Sequence, residues 1–232
     1  MNFLAVKYKN QLVLKGGMLL RLLDSPRITR DLDYSWIRTK KRNLFASELK
    51  EALKSLEGLQ VVDVKTNSRG VFLEVVEEGS NLRAKVEVNV VNSFHRPPKP
   101  MSTSSLSQPY DLKPQVLASM DLAEMFSHKI AAALERDLLR DLYDIMILAR
   151  LTSFDEETLR ERLSKLEIRR GRPRSVTPSE AAKLLQRKID ALTPEAIATE
   201  LLPVLEGQPL QGLETILKAA VTQIIAQIET LG

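Results

Sequence analysis

"LKGGMLLRLLDSPRITRDLDYSW", residues 14–36, decides how the rest of the chain is read. Gly16 and Gly17 supply the backbone freedom a tight turn needs, and the apolar run behind them predicts a helix from Lys15 to about Asp24. The pattern then changes to alternation. Ile28, Leu32, Tyr34 and Trp36 fall on one face, while Thr29, Asp31, Asp33 and Ser35 fall on the other. This spacing predicts a half-buried strand over 28–36 with an acidic outer face. Two carboxylates two positions apart on a strand project side by side, an arrangement that can bridge a pair of divalent cations about 3.5 to 4 Å apart. A turn at a helix start, in turn, offers backbone N–H groups to an anion.

Such a pair of acids is usually completed by a third from a neighbouring strand. Three valine-rich runs, "LQVVDVKTN", "GVFLEVVEE" and "LRAKVEVNVV", are separated by turn compositions and read as an antiparallel meander. In the last, Ala84, Val86, Val88 and Val90 point one way and Lys85, Glu87 and Asn89 the other, which makes Glu87 the best third acid. Asn89 and Glu74 are the alternatives. Between the acidic strand and the meander, "ASELKEALKSL" at 46–56 has helical spacing, with Ser47 placed to cap it.

The Pro- and Ser-rich segment "NSFHRPPKPMSTSSLSQPYDLKP" predicts a long loop that divides the chain into an α/β part, residues 1–110, and a helical part, residues 111–232. The expected class is α+β, a mixed or antiparallel sheet followed by an all-helical domain. One long helix is predicted from about Ser119 to Ala149, and "TPSEAAKLLQRKIDAL" carries a Thr-Pro-Ser-Glu helix entry.

The 232 residues are 44% hydrophobic and 28% charged, ordinary for a globular protein. No apolar run approaches the roughly 18 residues that cross a bilayer, and no secretory signal is read at the start, so the expected location is cytoplasmic, without membrane. Without cysteine and with two isolated histidines, disulfides, thiolate zinc sites and cysteine nucleophiles are excluded. Any metal is expected on carboxylates, which favours hard ions such as Mg²⁺. The net charge of +4 is uneven, with "RTKKR" at 38–42 and "RRGRPR" at 169–174. Such clusters either neutralise nucleic-acid phosphates or are solvated loops. His95 and His128 read as exposed, and Tyr34 and Trp36 as core.

The opening stretch resembles the first motif of the AbiEii/AbiGii toxin family of the nucleotidyltransferase superfamily, in which a Lys-Gly-Gly-Ser/Thr turn precedes an Arg-x-Thr/Ser-x-Asp-hydrophobic-Asp strand. "EMFSHKIAAALERDLLRDLYDIMIL", 124–148, is similar to the family's helical motif. On a single continuous helix Lys129, Arg136, Arg140 and Asp144 would share an arc of roughly 80°. The resemblance runs from Lys15 to about Arg150.

It implies a nucleotidyltransferase fold whose helical domain contributes to the active-site cleft. It also implies transfer of NMP from an NTP, using a two-metal Mg²⁺ site, to an acceptor such as RNA, possibly the tRNA acceptor end. A cognate antitoxin would be the partner. Asp31, Asp33 and Glu87 would hold metal, and Glu87 would help deprotonate the attacking hydroxyl. Lys15, Gly16, Gly17, Lys129 and Arg136 would bind nucleotide. Asp144 would orient Lys129 or a neighbouring arginine, and Arg30 would be a structural partner of the acids. Met18 departs from the family's Ser/Thr and removes a hydroxyl donor. Two other readings compete: a non-catalytic RNA- or protein-binding module on the same fold, and an antibiotic nucleotidyltransferase.

Overall fold

A computed structural model describes residues 1–169, 172–207 and 211–232. The chain divides into two compact units, Met1–Met120 and Asp121–Gly232.

In the first unit, α1 (Asn2–Tyr8), β1 (Val13–Lys15), α2 (Gly16–Leu22), β2 (Asp31–Ile37) and α3 (Arg42–Lys54) precede the meander β3 (Leu59–Thr66), β4 (Gly70–Glu77) and β5 (Arg83–Val91). Then come β6 (Lys99–Ser102), the short α4 (Ser104–Ser107) and β7 (Val116–Ser119). The strands form one mixed sheet ordered β3-β4-β5-β2-β1-β7-β6. The meander is antiparallel as expected, but β5 runs parallel to β2, and β7 parallel to β1. The acidic strand is therefore an interior strand.

Three local expectations change. β2 begins at Asp31, not Ile28: the Thr29 hydroxyl accepts from the Asp31 N–H at 3.2 Å, a turn bond that competes with strand pairing. Ile28 is 40% exposed, off the core face, and Ser35 is fully buried because β2 is flanked by β5 and β1. α3 starts at Arg42 with Lys41 as its N-cap and no side-chain cap, so Ser47 lies inside the helix. The Pro/Ser segment is not a plain loop. It contributes β6 and α4, with Pro100 on an edge strand that needs no donor on its open side, and β7 follows directly after it. The first unit accordingly continues to Met120.

The core side of β2 carries Tyr34 and Trp36. Trp36 stacks on Phe45 of α3 with centroids 4.2 Å apart, and Tyr8 of α1 meets the same ring edge-on at 5.8 Å. That leaves Asp31 and Asp33 on the opposite face.

The second unit comprises α5 (Leu122–Glu135), α6 (Leu139–Leu151), α7 (Glu156–Leu163), β8 (Leu166–Arg169), β9 (Arg172–Arg174), α8 (Pro178–Asp190), α9 (Pro194–Glu200) and α10 (Leu213–Glu229). It is not all-helical, because β8 and β9 pair antiparallel across the basic cluster. Arg170 and Gly171 of that cluster lie outside the described residues, while Arg172 and Arg174 are exposed. Asp155 caps α7, and Thr177 with Glu180 forms a reciprocal capping box on α8. No helix among the described residues is long and apolar enough to cross a membrane.

Candidate active site

The β1–β2–β5 register places Lys15, Asp33 and Glu87 side by side in one row across three strands, with Asp31 next to Asp33 on the same face of β2. In this register Glu87, and not Glu74, stands beside the Asp pair. Glu74 lies one strand further out and accepts from Arg83 at 3.0 Å. Asn89 accepts from Lys15 Nζ at 2.7 Å, so it holds the lysine beside the acids and is not itself an acid.

Asp31, Asp33 and Glu87 are all half-buried. The Glu87 carboxyl is pushed above its ordinary value by burial first, then by the negative charges of Asp33 and Asp31; Lys85 and Lys15 oppose this. The ionised form of the set thus carries a repulsion that the lysines offset only in part and that a hard cation would reduce further. Among the described residues, no three His, Cys, Asp or Glu side chains converge as a ready-made metal cluster. The donor chemistry of the row nonetheless fits a cation such as Mg²⁺, with oxygen ligands on adjacent strands.

The Gly-Gly turn abuts the acids directly. Gly16 has φ +69°, and a Cβ there would lie 2.2 Å from Asp33 Oδ2. Gly17 is less constrained: a Cβ would sit 2.4 Å from Nη2 at the end of the buried Arg27 and 3.2 Å from the Thr29 Cβ. Both glycines are there because side chains occupy the volume a methyl would fill. Met18, half-buried in the first turn of α2, brings no hydroxyl to this turn. Arg30 is exposed.

In the second unit the expected long helix is broken. Arg136 is extended at φ −142°, ψ 152°, so α5 ends at Glu135 and α6 starts at Leu139. Lys129, Arg136, Arg140 and Asp144 therefore do not share one helix face. Instead Lys129 reaches from α5 to α6, pairing with Asp144 at 2.6 Å and Asp141 at 3.6 Å. Asp144 and Asp141 are almost wholly buried. Arg136 grips Asp141 with two bonds of 2.7 and 3.0 Å, a bidentate pair that fixes the carboxylate plane. Arg140 is exposed, and Asp144 pairs with Lys129. Sequence reasoning gave Asp141 and Arg27 no role of their own, and weighed Asn89 only as an alternative to Glu87 and not as the partner of Lys15. The signal for Asp141 was present in its i,i+3 spacing to Asp144 within "RDLYD". His128 faces the buried Glu124 at 3.7 Å, and His95 is exposed.

The family described as "Nucleotidyl transferase AbiEii toxin, Type IV TA system" matches residues 2–219. The chain belongs to this family. It is thus a nucleotidyltransferase and the toxin member of a toxin–antitoxin pair, with an NTP as substrate and an antitoxin as partner. No curated protein matches it. Solved structures that share its fold include the following two, and the likeness is one of fold alone. MenT4, a nucleotidyltransferase toxin from Mycobacterium tuberculosis, is 20% identical with a TM-score of 0.63, covering 98% of this chain and 80% of that one. JHP933 from Helicobacter pylori is 17% identical with a TM-score of 0.56, covering 99% of this chain and 89% of that one.

Proposed function

We propose that this AbiEii-family nucleotidyltransferase transfers a nucleoside monophosphate from an NTP to a hydroxyl of RNA, with the end of a tRNA as one acceptor, in a Mg²⁺-dependent reaction. The observation that carries the reading is the row Lys15–Asp33–Glu87 set against the Gly16 turn. Across three neighbouring strands the row brings an anchored ammonium and three carboxylates to the glycine turn at the start of α2.

In this reading Asp31, Asp33 and Glu87 hold Mg²⁺, which when bound neutralises charge on the phosphates under attack. The acceptor oxygen forms a bond to the α-phosphorus, and the bond to the β-phosphate bridging oxygen breaks, releasing pyrophosphate. Glu87, beside Asp33 in the row, is the carboxylate assigned to help take the hydroxyl proton. Gly16 and Gly17 let the triphosphate approach the backbone, while Lys15, kept in place by Asn89, faces its charge. Lys129 is assigned to phosphate charge, with Asp144 and Asp141 holding its ammonium. Arg136 fixes Asp141 and, with 48% of its side chain exposed, stays assigned to the nucleotide as well. Phosphoryl-type transfer depends mainly on positioning and charge neutralisation, and these groups supply both.

The basic surface around residues 38–42 supports RNA over a small-molecule acceptor. To test this, the chain is incubated with each α-labelled NTP, Mg²⁺ and total RNA. Label should enter RNA with wild type and disappear with Asp31→Ala. Labelling of no RNA under any NTP overturns the RNA assignment.

A further inference from the structure

An open cavity of about 430 Å³ lies in the first unit where β2 and β5 end, lined by Arg38, Arg42, Ser68 and Asn92 with Val90 and Val91 between them. No carboxylate lines it. Its polar groups are two guanidiniums, which only donate, and a hydroxyl and an amide, which can donate as well as accept. Nearby, Lys40 is paired with Glu48 at 2.5 Å, and the first turn of α3 contains no acid.

The cavity is held in shape. A Cβ on Gly70 would lie 2.1 Å from the Val88 carbonyl oxygen, so the β3–β4 turn can close tightly on β5. The Val90 N–H donates to the Arg69 carbonyl at 2.8 Å, fixing the turn beside the end of β5. Arg42 donates to the Asn67 carbonyl in the same turn. That bond uses one of the several guanidinium donors and fixes the side chain beside Ser68. Arg38 follows directly on Ile37, whose register partner on β5 is Val91. A pocket lined by two guanidiniums and no carboxylate favours an oxyanion.

We infer that this pocket is a phosphate subsite for a backbone phosphodiester of the acceptor polynucleotide. Its position fits. Asp33 and Ile37 are four residues apart on one strand, about 13 Å, which puts the pocket a few nucleotides from the reacting end. The inference rests on the RNA reading above.

The test measures binding of a labelled oligouridylate to the full chain without NTP, across a salt series, for wild type, Arg38→Gln and the double variant Arg38→Gln/Arg42→Gln. Each lost phosphate contact should weaken binding several-fold and lower the log–log salt slope by about 0.7. Arg38→Gln carries the decision if the double variant, which also loses the Asn67 bond, fails to fold. Unchanged affinity and slope overturn the inference. In a second arm, inorganic phosphate is titrated while the Ser68 and Asn92 amide NMR signals are followed, and both should shift. Failure to shift counts against an oxyanion pocket. If phosphate shifts them and wild type binds no oligouridylate, the RNA reading fails, and the polynucleotide ligand with it.

Discussion

Asp33 is the residue on which most constraints meet: Lys15 on one flank, Glu87 on the other, and the Gly16 Cα against its carboxylate. Two outcomes follow at this scale. The Glu87 carboxyl in the metal-free chain should titrate by NMR above the ordinary glutamate value of 4.5, and Asp33→Asn should lower it without fully restoring it, since burial is the larger cause. The sign for stability follows from this. A carboxyl raised in the folded state contributes fully below its unfolded value, and that contribution is lost as pH rises through the folded value. A Glu87 titration that does not respond to Asp33→Asn contradicts the charge coupling. Gly16→Ala forces a methyl into the Asp33 oxygen at a positive φ. The variant should lose about 1–3 kcal/mol of stability in urea unfolding and most of its transfer activity. Wild-type activity in a folded Gly16→Ala chain would show that the close approach is not required.

At the scale of elements, the helix break between α5 and α6 sets the geometry around Lys129. Leu, Arg, Asp and Glu across residues 134–141 are all tolerated in helices and include no Pro or Gly, so local pattern predicts continuity. The interruption is tertiary in origin. Lys188 of α8 donates to the Arg136 carbonyl at 3.2 Å and pairs with the Asp137 carboxylate, satisfying groups the broken helix releases. A partner 51 positions away leaves no trace in periodicity. The β1–β2–β5 row was more legible, because strand alternation alone put Asp31 and Asp33 on one face and Glu87 on the polar side of β5. What alternation could not give was the parallel β2–β5 pairing that sets Glu87, not Glu74, beside them. Strand β6 was hidden by Pro and Ser, which an edge position tolerates, and the four-residue β7, between β1 and β6, is too short to show alternation. Removing one partner of the Lys129 network leaves a buried charge under-compensated. Asp144→Ala should therefore cost about 3 kcal/mol, the lower end of the usual range because Asp141 remains 3.6 Å from the ammonium. Arg136, with 48% of its side chain exposed, should cost markedly less on truncation to Ala. Urea denaturation of both variants checks the order, and equal losses would contradict it.

For the whole molecule, the family match over residues 2–219 embraces both compact units, so the helical unit belongs to the shared architecture and is not a separate attachment. The proposed chemistry rests on a few side chains, and the account stands or falls on the carboxylate row. Its most direct test is pyrophosphate release by the full chain supplied with the four NTPs, Mg²⁺ and RNA, comparing wild type with Asp33→Asn. The expected result is release by wild type and a loss of about 100-fold or more in the variant, the scale on which removal of one electrostatic group at the reacting centre acts. Equal release by wild type and a folded Asp33→Asn chain would place the chemistry elsewhere and contradict the account.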